Sequence, residues 1–186
     1  PKLRMLLPFI LSIIIFLLFG STGDVGKAAV KFFLNQNYDQ YYFFTRSSFE
    51  IQTVKNNYSI IPITDLTKEE YVTEAFAKVK TKNDACYYLF STVGGFIGGE
   101  TISTTEYADF KKMLDINLCS SFLIAKHFTK LVEETEGGSI CFYQKNEITS
   151  SRSIGTRDDK RTLETALHGG GRLNSVKERI KNCIQR

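Results

Sequence analysis

Residues 13–34 read IIIFLLFGSTGDVGKAAVKFFL, an apolar run followed by three glycines and then a stretch with helical spacing. Seven consecutive apolar residues that end at a glycine are typical of a buried strand. Gly20, Gly23 and Gly26 would let the backbone approach a ligand closely, and the helix that follows offers unpaired N–H groups and the positive end of its dipole. The order strand, glycine turn, helix predicts a nucleotide site; a tight turn without a ligand is the alternative.

The composition is that of one globular domain without a nucleic-acid-binding surface. The chain has 186 residues, of which 42% are hydrophobic and 24% charged, which are ordinary globular values. The net charge is +4, but nine Lys/Arg and four Asp/Glu follow Ser150, so residues 1–150 carry about −1. A nucleic-acid-binding protein would instead concentrate basic residues on one element.

The four cysteines predict neither a metal site nor a disulfide framework. Cys86, Cys119, Cys141 and Cys183 lie far apart in the sequence, with no CxxC and no paired histidines. Three of them fall inside apolar segments. Reduced, packed thiols in a cytoplasmic protein are therefore the favoured interpretation, and no metal is expected.

The N-terminal segment allows two interpretations. Lys2 and Arg4 precede an apolar run over residues 5–19, which is similar to a signal-peptide core or a short membrane anchor. Its second half cannot be both in lipid and the first strand of a sheet. We therefore expect residues 1–12 to be an apolar lead-in, with membrane association as the alternative.

The rest of the chain alternates between strand and helix patterns. Further strands are predicted over residues 40–45, 58–63, 86–90 and 139–143, and helices over 27–34, 67–80 and 106–134. The second helix begins with Thr67-Lys68-Glu69-Glu70, a predicted capping box. Alternation of this kind predicts an α/β fold with a doubly wound parallel sheet between two helical layers, which is Rossmann-like. We expect one domain over residues 13–186, with residues 144–186 divergent.

Four landmarks together resemble those of the short-chain dehydrogenase/reductases, over about residues 13–142. They are Gly20-x-x-Gly23-x-x-Gly26, Thr64-Asp65-Leu66, Thr92-Val93-Gly94-Gly95-Phe96 and Asp115-Ile116-Asn117-Leu118. The glycine turn and the stretch from Gly94 to Gly99 look most like the branch that contains quinoid dihydropteridine reductase. The resemblance implies a chain with a truncated or divergent C-terminal part, because the family normally continues through two more strands.

This resemblance implies a dinucleotide site at the carboxyl ends of the strands. The residues implied at the pyrophosphate are Gly20, Ser21, Thr22, Gly23, Asp24, Val25 and Gly26. Arg46 follows the second strand, where its guanidinium suits a ribose 2′-phosphate. Because no acidic residue occurs between Thr45 and Glu50, NADP(H) is preferred over NAD(H), unlike the NADH preference associated with dihydropteridine reductases. A solvated surface arginine is the alternative.

Four further residues acquire roles from the same resemblance. Asp65 would accept the adenine amino group, with Leu66 supplying a backbone contact, and Gly94 would let the chain pass close to the cofactor ribose. Asn117 is similar to the asparagine that holds a water beside the catalytic lysine. As alternatives, Asp65 could be the N-cap of the next helix and Asn117 a structural hydrogen-bonding residue.

The catalytic pair of the family is incomplete here. The family uses a Tyr and a Lys four residues later, and the expected positions hold Thr156 and Lys160, with Tyr143 where a Ser belongs. A second register places Glu147 and Ser151 at the Tyr and Lys positions. Tyr107 and Lys111 have the right spacing but lie too early in the chain, so we expect two exposed residues on one helical face. The implied catalytic residues are Asn117 and Lys160.

Three functions remain open from the sequence. The first is an NAD(P)H-dependent oxidoreductase that transfers hydride to a small carbonyl or pterin-like substrate, with an activity that the missing Tyr would weaken or abolish. The second is a non-catalytic dinucleotide-binding protein that acts as a sensor or partner. The third is a membrane-anchored scaffold. The resemblance also implies a homo-oligomer that associates through the helix over residues 106–134.

Overall fold

The computed structural model describes residues 13–47, 49–97 and 101–143. These residues contain five strands, which are β1 (Ile13–Phe19), β2 (Gln40–Thr45), β3 (Tyr58–Pro62), β4 (Ala85–Ser91) and β5 (Gly138–Phe142). The helices are α1 (Asp24–Leu34), α2 (Glu69–Ala77), α3 (Tyr107–Leu114) and α4 (Ser120–Val132), and a π-helical segment, Asp115–Cys119, joins α3 to α4. The predictions for residues 1–12 and 144–186, Lys160 included, lie outside the described residues.

The five strands form one parallel sheet in the order β3-β2-β1-β4-β5. Strand β1 pairs with β2 on one side and with β4 on the other, and residues 15–19 are buried. A continuous apolar run is what a central parallel strand requires, because helices cover both of its faces. In chain order, β2 and β3 are added on one side of β1, whereas β4 and β5 are added on its other side. The strand order therefore reverses between β1 and β4. In such sheets a ligand binds outside the carboxyl ends of the strands, at this point of reversal.

Alternate residues of β1 face two different helical layers. Ile15, Leu17 and Phe19 belong to a core cluster that includes residues of α2 and α4. Phe16 points to the opposite face, where its ring centroid lies 4.0 Å from that of Phe33 in α1. The sheet is therefore sandwiched between helices, and the predicted doubly wound, three-layer α/β fold is confirmed.

Helix α1 begins three residues earlier than predicted, at Asp24 rather than at Lys27. Gly26 therefore lies inside the helix, and its α-carbon packs directly against the preceding turn. A Cβ at this position would overlap the carbonyl oxygen of Gly20 and lie 2.9 Å from two backbone carbon atoms, Gly20 C and Ser21 C. The absence of a side chain lets the helix start immediately beside the end of β1.

The predicted capping box at the start of α2 is wrong. The N-cap of α2 is Lys68, which makes no side-chain capping hydrogen bond. Instead, the hydroxyl and the backbone N–H of Thr67 both donate to Asp65 Oδ1, at 2.7 and 2.9 Å. Asp65 thus closes an Asx turn that precedes the helix, so the alternative role of Asp65 as the N-cap is also wrong. Helix α2 ends at Ala77, three residues before the predicted end.

The long helix predicted over residues 106–134 is interrupted by the π-helical segment. The predicted spacing of Leu114, Leu118 and Phe122 is helical, but these side chains are exposed, at 40%, 64% and 63%. Leu123, Ile124 and Phe128 are the residues that bury against the sheet. In the described part of the chain, no helix combines the length and the apolar character needed to cross a bilayer.

Candidate functional site

The glycine turn after β1 is fastened to the end of β2. The backbone N–H groups of Gly20 and Ser21 donate to Phe44 O, at 3.1 and 3.3 Å. The hydroxyl of Ser21, a fully buried residue, donates to the same oxygen at 3.0 Å. Gly20 has φ +81°, a left-handed conformation that favours glycine. These hydrogen bonds and the backbone conformation of Gly20 therefore fix the path of the chain through the turn.

Thr92 fastens the same turn to the end of β4. Its hydroxyl lies 3.1 Å from Phe19 O and 3.0 Å from Gly20 O, with both carbonyls as acceptors, and its backbone N–H donates to Phe19 O at 3.0 Å. A Cβ on Gly20 would come 2.7 Å from the Thr92 hydroxyl oxygen. The close approach between β1 and β4 thus depends on the absence of a side chain at Gly20.

The start of α1 is open. Gly23 is the N-cap, with φ −69° and ψ 165° and no side-chain capping bond, and a Cβ built there would meet only Gly20 O at 3.8 Å. The first N–H groups of a helix have no partners within the helix. Together with the dipole, they make this end of α1 suited to an anion.

At the end of β2, the Thr45 hydroxyl organises the turn that carries Arg46. Thr45 Oγ1 accepts from Ser47 N at 3.2 Å, donates to Ser47 O at 2.5 Å and lies 3.5 Å from Thr22 Oγ1. Thr45 is 4% exposed, whereas Arg46 is exposed. The guanidinium group is therefore presented to solvent from a turn that a buried hydroxyl holds beside the glycine turn.

Asp65 follows β3 at the same edge of the sheet. The backbone N–H of Thr67 and then its hydroxyl lower the pKa of Asp65, with smaller contributions in the same direction from Lys68 and Arg46, while burial opposes them. Asp65 is consequently a carboxylate at neutral pH. Leu66 packs against the core cluster, which leaves its backbone at the edge.

Asn117 connects the π-helical segment to the loop after β4. Its Oδ1 accepts from Gly95 N at 3.1 Å, and its Nδ2 donates to Gly95 O at 2.8 Å and to Met113 O at 2.9 Å. A Cβ on Gly94 would come 2.9 Å from Asn117 Oδ1. The carbonyl oxygen of Asn117 accepts from the Ser121 hydroxyl at 2.6 Å.

The described site residues therefore gather at one edge of the sheet. The glycine turn follows β1, Arg46 follows β2, Asp65 and Leu66 follow β3, and the Gly94 loop follows β4. Because carboxyl ends of parallel strands meet at the same edge, residues far apart in sequence line one crevice. This arrangement can seat an extended ligand with a central anionic group.

The family model described as short chain dehydrogenase matches residues 15–146. The chain belongs to the short chain dehydrogenase family.

Two solved structures show the same fold as this short chain dehydrogenase. One is ElxO with NADP bound, at 23% identity and a TM-score of 0.60, covering 71% of this chain and 55% of that one. The other is a short chain dehydrogenase from Leptospira borgpetersenii with bound NAD⁺, at 16% identity and a TM-score of 0.52, covering 64% of this chain and 46% of that one. The chain thus spans about half the length of these proteins.

A curated relative is the 2-dehydro-3-deoxy-D-gluconate 5-dehydrogenase of Formosa agariphila. It is 30% identical over 76 residues, which are 41% of this chain and 28% of that protein. The similarity therefore covers a minority of either sequence.

Two residues that hold the site of this short chain dehydrogenase, Thr45 and Thr92, had no role in the sequence-based prediction. Each is a threonine at the carboxyl end of an apolar strand, and a polar residue at that position was the available signal. Tyr107 and Lys111 are both exposed on α3, as predicted. Lys160, Thr156, Glu147 and Ser151 lie outside the described residues, and Tyr143 follows β5, where its N–H donates to Ser91 O at 2.8 Å.

Proposed function

We propose that this chain binds a nicotinamide dinucleotide and reduces a small carbonyl or pterin-like substrate. The observation that carries the proposal is the glycine turn, which lies at the point where the strand order reverses. Hydrogen bonds of Ser21 and Thr92 fix this turn to the ends of β2 and β4. The pyrophosphate would lie at the start of α1, against the backbone of residues 20–26, and the adenosine would extend toward Arg46 and Asp65.

The residues present fit such a cofactor. Gly23 leaves the approach to α1 clear, and the crowding around Gly20 and Gly26 leaves no room for a side chain at these two positions. Asp65 is a carboxylate that can accept from the adenine amino group, and the Gly94 loop would border the ribose. When bound, the cofactor would supply the hydride, while this chain would orient it and exclude water.

We propose NADP(H) rather than NAD(H) as the preferred cofactor. Arg46 is exposed directly after β2, in the turn that the Thr45 hydroxyl holds through the backbone of Ser47. A planar guanidinium group binds a 2′-phosphate through two parallel hydrogen bonds. The NADP in ElxO is compatible with this preference, which rests on Arg46.

Asn117 and Lys160 are the proposed catalytic residues. The side-chain amide of Asn117 is occupied in holding the loop after β4. A water beside the catalytic lysine would therefore be held by the backbone carbonyl of Asn117, which in this structure accepts from the Ser121 hydroxyl. Lys160 would bind the nicotinamide ribose. The presence of Thr156 where the resemblance implies Tyr favours a second candidate, a non-catalytic dinucleotide-binding protein.

Cofactor titration tests the proposal. Purified protein is titrated with NADPH and with NADH while nicotinamide fluorescence is followed. We expect micromolar binding of NADPH, its loss in Gly23→Asp, and in Arg46→Asp a weakening of NADPH binding that spares NADH. Lys130→Asp on the exposed side of α4 is the control for the same change of charge. If the folded protein binds neither cofactor, both candidate functions are overturned.

Turnover separates the two candidates. Protein that binds NADPH is supplied with a quinonoid dihydropterin or with a model diketone, and oxidation of NADPH is followed by absorbance. Consumption that Lys160→Ala abolishes supports the reductase, and a pterin preference supports the dihydropteridine reductase branch. Binding without consumption supports the sensor or partner protein.

We further propose that two copies associate through the surface formed by α3 and α4. Five apolar side chains are exposed there, namely Tyr107, Phe110, Leu114, Leu118 and Phe122. A contiguous apolar surface of this kind is typical of a protein interface. Sedimentation of Leu118→Glu should show a smaller species than wild type; an unchanged monomer in both would contradict the interface. We also propose a cytoplasmic location, in which the thiols of Cys86 and Cys119 would stay reduced.

A further inference from the structure

Asp24 places a carboxylate at the start of α1. It is the first residue of the helix, between the N-cap Gly23 and Gly26, and it is exposed. Because each Cα–Cβ bond in a helix tilts toward the N-terminus, the side chain of a first-turn residue leans toward the open end. We therefore expect the carboxylate of Asp24 to lie on the side of α1 on which the pyrophosphate would lie.

In the part of the chain that the structure describes, no cation forms an ion pair with Asp24. Among the residues that the structure describes, ion pairs involve only Glu69, with Lys126 and His127. Lys27, another described residue, lies three residues further along α1 and forms no ion pair with Asp24. The positive end of the helix dipole favours the carboxylate, but it would favour a pyrophosphate for the same reason.

We propose that Asp24 determines the strength of dinucleotide binding by competing, through its charge, with the pyrophosphate at the start of α1. This inference rests on the proposed function. The backbone N–H of Asp24 still contributes to the anion site, whereas its side chain opposes the ligand. The pyrophosphate is common to NADPH and NADH, so Asp24 weakens both equally, in contrast to Arg46, which separates them.

The size of the effect follows from simple electrostatics. Unit charges about 5 Å apart in a solvent-exposed site repel by roughly 1 kcal/mol, and the pyrophosphate carries two. We therefore expect removal of the Asp24 charge to tighten binding by about tenfold, with tenfold corresponding to about 1.4 kcal/mol. Salt should reduce this difference, because charges at an exposed site are screened over about 10 Å at 0.1 M ionic strength.

The test compares four proteins: wild type, Asp24→Asn, Asp24→Glu and Asp84→Asn. Asp84 is an exposed carboxylate in the turn before β4, at the opposite edge of the sheet, and controls for the change in net charge. Each protein is titrated with NADPH and with NADH at 20 mM and at 500 mM salt. Circular dichroism and thermal unfolding confirm that each variant is folded at the assay temperature.

We expect Asp24→Asn to bind both cofactors about tenfold more tightly than wild type at low salt, with a smaller difference at high salt. Asp84→Asn should bind as wild type does, and Asp24→Glu, which keeps the negative charge, should not bind more tightly than wild type. If wild type binds and Asp24→Asn binds equally or more weakly, the role of Asp24 is overturned while the proposed function stands. If none of the folded proteins binds either cofactor, the proposed function and this inference are both overturned.

Discussion

The side chain of Asn117 is paired with the backbone of Gly95 through two hydrogen bonds. Gly95 N donates to Asn117 Oδ1 at 3.1 Å, and Asn117 Nδ2 donates to Gly95 O at 2.8 Å. The pair joins the π-helical segment to the loop after β4, and a third bond, to Met113 O, fixes the amide. The position of the Gly94–Gly95 loop at the site therefore depends on a residue 22 positions later in the chain.

Replacement of Asn117 by Ala should destabilise the fold by roughly 1 kcal/mol, because it removes the side-chain hydrogen bonds to Gly95 and Met113, while the exposed backbone of Gly95 can bond to water instead. Asn117→Asp should cost more, since a carboxylate oxygen would replace the donor that faces Gly95 O and Met113 O. Urea denaturation measures both. Asn35→Ala is the control, since Asn35 makes one exposed side-chain bond, to Lys31 O. A loss for Asn117→Ala no larger than that of the control would contradict the role of this pair.

Gly26→Ala should destabilise the protein by more than about 3 kcal/mol, or prevent folding, because the new Cβ meets backbone atoms that cannot rotate away. The matched variant is Gly23→Ala, three residues earlier. Its Cβ would have an ordinary contact at 3.8 Å, and its φ of −69° suits any residue, so its cost should stay within about 1 kcal/mol. Thermal unfolding distinguishes the two variants; equal stability would show that α1 does not pack on the turn as described.

Thr45→Val should weaken NADPH binding about three- to tenfold, which corresponds to the loss of about one hydrogen bond of roughly 1 kcal/mol. The hydroxyl binds both the N–H and the carbonyl of Ser47, so its loss loosens the turn that presents Arg46. NADH binding should change less than twofold, since NADH has no 2′-phosphate. Thr45→Ser retains the hydroxyl and should restore NADPH binding. An equal loss for both cofactors would indicate a general structural role instead.

Tyr38 should make stability fall in alkaline solution. Burial, followed by the neighbouring Tyr41 and Tyr88, raises the pKa of Tyr38 to about 12, whereas an unfolded tyrosine titrates near about 10. The half-buried phenol is favoured in its neutral form, so its contribution is complete below the unfolded pKa and is lost as the pH rises through the folded pKa.

Urea denaturation between pH 9 and pH 12 checks this expectation. The stability of wild type should fall over this range, and that of Tyr38→Phe should fall less steeply, because Phe cannot ionise. Tyr107→Phe is the control, since Tyr107 is 76% exposed and its removal should leave the slope unchanged. Parallel slopes for wild type and Tyr38→Phe would contradict a raised pKa at Tyr38.

The sequence by itself determined the order and type of the elements. The run from Ile13 to Phe19 is apolar at every position, as a strand buried on both faces requires, and the glycines after it mark the turn. Alternation of strand and helix patterns then leads to a parallel sheet, because parallel strands need a crossover between them. These are local properties of the chain, and the landmarks of the family are local as well.

Only the tertiary structure decided which side chains hold the site. The hydrogen bond from Thr92 to Gly20 joins residues 72 positions apart in the sequence, and the bond from Ser21 to Phe44 joins residues 23 positions apart. Both bonds depend on the register of β1 against its two neighbouring strands. The predicted capping box is wrong for the same reason on a shorter scale, because the Thr67 hydroxyl donates to Asp65 instead of capping the helix. A pattern along the chain specifies which face of an element is apolar, but the partner of a hydroxyl or an amide is set by the geometry that brings separate segments together.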